Sequence, residues 1–150
     1  MSSGNKGMSL VELELSKIDA AVEQLDWAIR LFLDRKAYVP AITLAGAAEE
    51  VLGQAVGGRA AFNALRKTFA TNLAMDEKVV SQAHLNRAKN WLKHGPGHTD
   101  EDKIRLELDE EALQYVVRAL TNLATYDGSQ PSEGPRFRDW ISKNRPDLVR

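Results

Sequence analysis

The chain has 150 residues, of which 43% are hydrophobic and 27% are charged, and its formal net charge is −1 at pH 7. This length and composition predict one folded domain with a buried core, and the small net charge means that polyanion binding would depend on a local positive patch. Without cysteine, the chain has no disulfides, no thiolate zinc site and no cysteine nucleophile. No apolar run approaches the roughly 18 residues of a membrane span, and residues 1–8 lack the apolar centre of a secretory signal. We therefore expect a flexible N-terminus, a cytoplasmic location and no membrane partner.

The first predicted helix extends from about Leu10 to Arg35. Ser9 and Glu12 have the spacing of a capping box at its start. Apolar residues then follow at alternating spacings of four and three, which is typical of one helix face. This stripe consists of Val11, Leu15, Ile18, Val22, Leu25, Ile29 and Phe32.

A second helix is predicted from Pro40 to Gly57-Gly58, because proline is tolerated in a first turn and glycine ends helices. Glu49 interrupts its apolar stripe, and a carboxylate there needs a cationic partner or an opening to water. The small residues 46–48 allow another element to approach closely. Glu49 is therefore either a rim residue paired with a surface Lys or Arg, or part of an active site or interface.

The remaining elements follow from apolar spacing and from turn residues. A short amphipathic segment contains Phe62, Leu65, Phe69 and Leu73. Asp76 is predicted to cap a helix from residue 77 to about residue 93 or 94, which Gly-Pro-Gly at 95–97 terminates. Alternating residues 104–108 are compatible with a short extended segment. Asp109 is predicted to cap a last long helix that ends at Asp127-Gly128.

Four principal amphipathic helices with short connections predict an all-α fold, an antiparallel bundle of four to five helices. We expect the bundle domain at residues 9–127 and a linker at residues 128–135, which are rich in Gly, Pro and Ser. Residues 136–150 are expected to form a short helix and tail. Phe137, Trp140 and Ile141 have the spacing of one helix face, which would dock either on the bundle or on a second subunit.

Charge is unevenly distributed near the end of the helix predicted over residues 77–94. Four Lys or Arg and no acid lie in residues 78–99, seven acids follow in residues 100–111, and the tail after residue 135 is basic again. Arg87, Asn90 and His94, at i, i+3 and i+7, would lie on one helix face. Such a face could bind or cleave a phosphodiester. Cations in a last helical turn are also favoured simply by the partial negative charge of the helix end.

Two segments resemble the HEPN superfamily, a set of four-helix bundles common in prokaryotic toxin–antitoxin and phage-defence systems. They are the alanine-rich stretch Tyr38–Val56 and the stretch Lys89–His94. The family's signature is an arginine followed a few residues later by a histidine, and Arg87 and His94 fit it with six intervening residues. In the commoner Arg-Asn-x-x-x-His form, Lys89 stands in the place of the arginine.

The resemblance implies a homodimer that binds RNA or cleaves it without metal or cofactor, together with an antitoxin or defence partner protein. The implied catalytic residues are Arg87, Asn90 and His94, and the implied substrate-binding residues are Lys89, Lys93, Trp91 and Glu49. In this chemistry the RNA 2′-hydroxyl is the nucleophile, a histidine transfers protons and an arginine holds the phosphate. A lysine at position 89 adds only a point charge, so activity would be weak or absent if it replaces that arginine.

Two other interpretations stay open. The chain could be a helical protein–protein interaction domain without nuclease activity. Alternatively, His94, His98 and either Asp100 or Asp102 could bind a metal ion, since imidazole and carboxylate are metal ligands, although their spacing is not that of a known zinc motif.

Overall fold

The computed structural model of the chain describes residue 10 and residues 12–73, 85–98 and 101–148. Within these residues the chain is helical and has no strand, which confirms the predicted all-α class. None of the described helices is both long enough and apolar enough to cross a lipid bilayer. The α-helices are α1 Lys17–Arg30, α2 Tyr38–Val56, α3 Ala61–Leu73, α4 Arg87–Lys93, α5 Leu108–Asp127 and α6 Gly134–Asn144.

The core lies around α2, which packs against both α1 and α5. All three helices mix small and large buried side chains, and the alanines of α2 allow its neighbours to approach closely. Complete burial of each large aliphatic side chain stabilises the fold by roughly 1.5–3 kcal/mol. Buried residues include Ala41, Ala45 and Ala48 of α2, Leu25 and Ile29 of α1, and Leu113 and Val116 of α5.

Helix α1 begins at Lys17 rather than near Leu10. Ser16 is its N-cap, with an extended backbone and a side-chain oxygen that accepts the N–H of Asp19 at 3.0 Å. Leu15, which we expected in the buried stripe, is 61% exposed. The predicted capping residue Ser9 lies outside the described residues. Because Ser16 combines an extended backbone with a side-chain acceptor, it starts the helix later than the apolar spacing alone indicated.

The connection from α1 to α2 is short. A π-helical turn, Leu31–Arg35, continues α1 to the predicted end, and Lys36 then adopts a left-handed conformation with φ of 51°. Helix α2 begins at Tyr38, which places Pro40 in the first turn as expected, and ends before Gly57, where φ is 61°. The chain therefore reverses within a few residues and lays α2 against α1.

The helix predicted over residues 77–94 is described only from residue 85 onward, and the predicted cap Asp76 lies outside the described residues. Asn86 has φ of −117° and ψ of 11°, so it interrupts any helix that reaches it. Helix α4 starts at Arg87 and ends at Lys93. The helix therefore ends at Lys93, as predicted, but the break at Asn86 means that the predicted continuous helix is wrong at this position.

Helix α5 begins before the residue predicted to cap it. Glu107 is the N-cap residue, and Asp109 lies in the first turn, where its carboxylate accepts the N–H of Glu110 at 2.9 Å. A carboxylate there still interacts favourably with the helix dipole. Residues 104–107 form neither helix nor strand, and Leu106 packs against the core. Gly128, with φ of 75°, ends the helix as predicted.

Residues 128–135, expected to be a linker, are held against α1. The buried carboxylate of Asp26 accepts the backbone N–H groups of Ser132 at 3.3 Å and Glu133 at 2.8 Å. Helix α6 starts at Gly134 and docks on the core, where Phe32 makes edge contacts with Phe137 and Trp140 at ring-centroid distances of 5.7 and 5.0 Å. The apolar face of the C-terminal helix thus packs on its own chain.

Candidate functional site

The predicted polar surface lies at the C-terminal end of α4. Arg87 is the first residue of this helix and is exposed, whereas Asn90 is half-buried and its backbone N–H bonds to Asn86 O at 2.9 Å. His94 follows the helix with an extended backbone, φ −107° and ψ 141°. Helical spacing therefore does not fix the direction of His94, and of the three residues expected on one face only Arg87 and Asn90 lie within α4.

A cavity of about 310 Å³ opens at this end of α4. Trp91 and His94 line it together with Glu101 and Asp102, which come from the following loop. Among the described residues, Asn90 is not part of this lining. We call this space the α4-end cavity.

The loop returns to α4 through Glu101. Its backbone oxygen accepts the indole N–H of Trp91 at 2.5 Å, and its carboxylate lies 3.9 Å from Nη2 of Arg87. The rings of His94 and His98 stack with their centroids 3.7 Å apart. Arg87 thus lies near the carboxylate of Glu101, a residue that lines the same cavity as His94.

The chemistry available at the α4-end cavity is mixed. An imidazole, an indole and the nearby Arg87 are groups that bind nucleic acid by proton transfer, base stacking and phosphate contact. Lys93 adds an exposed positive charge on α4. Glu101 and Asp102 oppose the approach of a phosphate and lower the local positive charge.

Lys89 does not share this surface. Its side chain is only 9% exposed, and Nζ lies 3.8 Å from the Glu50 carboxylate. A Cβ atom at Gly46 would meet Cδ of Lys89 at 2.8 Å, so the small residue in α2 makes room for the lysine stem. Burial lowers the pKa of Lys89, although Glu49 and Glu50 act in the opposite direction.

Glu49 is buried in the core and has a cationic partner there. Arg118 of α5 donates from Nη2 to Glu49 Oε1 at 2.5 Å, and the two side chains are 4% and 5% exposed. The same guanidinium donates to Leu85 O at 3.0 Å and to Asn86 Oδ1 at 3.1 Å. The expectation of a rim residue paired with a surface cation is therefore wrong, because the partner lies inside.

Two further α5 residues complete this buried polar cluster. Tyr115 accepts the backbone N–H of Lys89 at 3.2 Å and donates to Leu85 O at 3.1 Å. Asn122 donates to Glu49 O at 3.3 Å and accepts the backbone N–H of Ala61, at the start of α3, at 2.7 Å. Burial raises the pKa of Tyr115 to about 12. The cluster therefore ties the helices on either side of α5 to one another.

Arg118, Tyr115 and Asn122 were not among the predicted site residues. Their signal in the sequence is a second stripe on α5, since they recur at i, i+3 and i+7 beside the apolar stripe. A polar stripe of this kind ordinarily indicates a solvated face. Only its position opposite Glu49 reveals that it is buried.

The positive charge of the basic tail after residue 135 is largely neutralised by ion pairs. In the C-terminal helix region, Arg136 pairs with Asp34 and Glu133, and Arg145 pairs with Glu110 and Asp147. These arginines fasten α6 and the chain after it to the rest of the fold. They are accordingly poor candidates for a polyanion surface.

In the part of the chain that the structure describes, no three His, Asp or Glu side chains are grouped so as to hold a metal ion. Asp100, one of the ligands considered, lies outside that part. No protein-family model, curated protein or solved structure matches the chain. The functional argument therefore depends on the geometry of the α4-end cavity and of the buried cluster.

Proposed function

We propose that this chain is a HEPN-like antiparallel helical bundle that binds single-stranded RNA at the α4-end cavity. In this proposal it acts in the cytoplasm as a homodimer within a prokaryotic defence or toxin–antitoxin system. The observation that carries the proposal is that Trp91 and His94 line one open cavity of about 310 Å³, while Arg87 lies 3.9 Å from the Glu101 carboxylate on its border. A second copy of the same surface would double the limited positive charge of one chain.

Each group at the cavity has a role that RNA recognition requires. The Trp91 ring offers a stacking surface for a base, worth about 1–3 kcal/mol in single-strand complexes. Arg87 and the exposed Lys93 contact phosphates. RNA phosphate would displace the Glu101 carboxylate from Arg87, an exchange favoured by the long 3.9 Å separation of that ion pair.

Cleavage without metal is the reaction that His94 would perform. Its imidazole would take the proton of the 2′-hydroxyl or give one to the leaving oxygen, while Arg87 stabilises charge on the phosphorane. The burial of Lys89 bears on this step. Lys89 lies beside Gly46 and Glu50 and does not line the α4-end cavity, so the residue at the arginine's position in the commoner family motif does not hold a phosphate bound there.

The test is an RNA cleavage assay with a chelator present, which compares wild type with His94→Ala. Lys67→Ala, which removes an exposed lysine of α3, is the control. We expect single-stranded RNA to be cleaved by wild type and by the control, and not by His94→Ala. Equal cleavage by all three proteins would disprove the catalytic role of His94.

A second candidate function is a protein–protein interaction domain that lacks the chemistry. It is favoured by the enclosure of Lys89 and by Trp27, an α1 residue that is 52% exposed and lines a cavity with Ile18 and Val22. This candidate predicts no RNA binding, together with an assembly that Trp27→Ala weakens. Sedimentation velocity of wild type and Trp27→Ala measures this assembly. An unchanged mass distribution in the variant would contradict an interaction surface at Trp27.

A further inference from the structure

Lys89 occupies a slot that the fold shapes around it. Its aliphatic stem lies against Gly46 of α2, where an added Cβ would come within 2.8 Å of Cδ and 3.0 Å of Cγ. Its backbone N–H is held by the hydroxyl of Tyr115 on α5. The lysine is thus positioned from two sides, which limits the rotamers that can place its amine elsewhere.

The amine end of this slot meets a second cavity, of about 240 Å³, which we call the Lys89 cavity. Its lining includes Glu50, Phe62, Asn63 and Asn86, besides Lys89 itself. The volume is below the range of about 300–1,000 Å³ that is usual for drug-sized ligands, so it suits a smaller molecule. Here an amine, a carboxylate, amides and an aromatic ring surround one small space.

Glu50 is the carboxylate nearest to the Lys89 amine. Its Oε2 lies 3.8 Å from Nζ, which is longer than a hydrogen bond, and its side chain is half exposed. Glu50 therefore remains able to exchange protons with solvent while it stays close to the amine. Glu49 cannot do the same, because its carboxylate is buried against Arg118.

The lowered pKa of Lys89 favours its reaction as a nucleophile. Burial lowers its pKa, and the positive charges of Arg118 and Lys93 act in the same direction, while Glu49 and Glu50 oppose them. Because the neutral amine is the nucleophile, an amine of lowered pKa has more reactive molecules at neutral pH than an exposed lysine has. A buried amine beside a carboxylate and an open cavity is an arrangement typical of functional sites.

We propose that Lys89 is a nucleophile that forms an imine with a small, neutral aldehyde or ketone bound in the Lys89 cavity. The nitrogen lone pair forms a bond to the carbonyl carbon as the carbonyl π electrons move to oxygen. Glu50 carries one proton from the nitrogen to that oxygen, which gives a carbinolamine. It then protonates the carbinolamine hydroxyl, and the C–O bond breaks to release water as the nitrogen lone pair forms the C=N bond. The second nitrogen proton returns to the Glu50 carboxylate. Amine and carbonyl thus give imine and water, with no oxidant or reductant.

The class of ligand follows from the charges of the lining. Glu50 borders the cavity with a half-exposed carboxylate, so a ligand with a carboxylate would meet like charge there, whereas Glu49 is paired with Arg118. The amides of Asn63 and Asn86 can bond to hydroxyl or carbonyl oxygen, and Phe62 contacts an apolar portion. This site is separate from the α4-end cavity, so the two proposals stand or fall independently.

The alternative role for Lys89 is purely structural, as a cation that neutralises two glutamates. The two roles differ in a reaction with propanal and cyanoborohydride, which traps each imine as a stable propyl amine. Lys93, exposed on the same helix, is the internal control. We expect early time points at neutral pH to show a larger propylated fraction at Lys89 than at Lys93, measured by mass spectrometry of peptides. A fraction at Lys89 equal to or below that at Lys93 would overturn the proposal.

A pH series and two variants strengthen the test. Propylation of Lys89 should reach its plateau at a lower pH than propylation of Lys93, and identical profiles would contradict the proposal.

Glu50→Gln keeps the shape of the site but cannot relay the proton, so it should slow labelling at Lys89 and leave labelling at Lys93 unchanged. If labelling at Lys89 keeps its rate, the role given to Glu50 is wrong. Lys89→Arg keeps the charge, and the total propylation rate at neutral pH should drop below that of wild type. An unchanged total would place the fast amine elsewhere.

Discussion

Replacing Arg118 with methionine removes the guanidinium buried between α2 and α5. In the wild type this group donates to Glu49 at 2.5 Å, to Leu85 O at 3.0 Å and to Asn86 at 3.1 Å. Methionine keeps much of the length and apolar volume, so the main change is that Glu49, with a side chain 5% exposed, loses its counter-charge. Removing one member of a buried ion pair costs about 3–5 kcal/mol. A domain of this size loses about 2–4 °C of melting temperature for each kcal/mol.

The assay is urea unfolding followed by far-ultraviolet circular dichroism, which gives the free energy of unfolding for each variant. Glu49→Leu combined with Arg118→Met should recover much of the loss, because an apolar pair of similar volume often replaces a buried ion pair without cost. Arg136→Met, which breaks an exposed pair with Asp34, is the control and should have a much smaller effect. The reasoning is refuted if Arg118→Met is no worse than this control, or if the double variant is no more stable than Arg118→Met.

Three further predictions concern the same core and its edges. Tyr115→Phe should cost about 1–3 kcal/mol through its two lost hydrogen bonds. Between pH 10 and 12 the folded wild type keeps the phenol proton and the unfolded chain releases it, so the free energy of unfolding declines as the pH rises. Tyr115→Phe should abolish this decline, and urea titrations at these pH values would contradict the prediction if the decline persisted. Gly46→Ala should destabilise the fold by about 1–3 kcal/mol through its clash with Lys89. Gly53→Ala in the same helix would make ordinary contacts and should be neutral or stabilising. Equal melting temperatures for these two variants would rule out a tight slot for Lys89. Asp26→Ala should increase amide hydrogen exchange in residues 132–141 by removing the acceptor of two backbone N–H groups, and unchanged exchange would show that α6 docks without it.

The helices were largely predictable because their apolar spacings reflect a real buried face. Ile29 of α1, Phe32 of the π-helical turn that follows it, and Val116 and Leu123 of α5 all lie in the core. Helix starts were less predictable, since several polar residues compete for each cap. Ser16 rather than Ser9 caps the described α1, and Glu107 rather than Asp109 precedes α5, because backbone conformation at the boundary decides the cap.

The place of Glu49 in the apolar stripe of α2 predicted that it needs a cationic partner, but it did not predict which residue that partner is. Arg118 is 69 residues away, and no local rule connects two helices across such a distance. The sequence did contain the polar stripe of α5. Packing determines whether such a stripe faces water or a buried carboxylate.

The polar end of α4 was recognisable as a concentration of Arg87, Trp91 and His94. Its geometry was not, because α4 begins only after Asn86 and because His94 leaves helical conformation. The return of Glu101 to Arg87 and Trp91 depends on how the glycine-rich loop folds. Loop paths depend on tertiary contacts, so the acidic border of the cavity could not be inferred from spacing.

RNA affinity as a function of salt tests the central claim most directly. Fluorescence anisotropy of a labelled single-stranded RNA would compare wild type, Arg87→Ala and the exposed control Lys67→Ala across a salt series. We predict that Arg87→Ala weakens binding and reduces the slope of log K against log salt by about 0.7, the value for one phosphate contact on a single strand. Lys67→Ala should match wild type. An identical slope and affinity for all three proteins, or no binding by wild type, would contradict RNA recognition at the α4-end cavity.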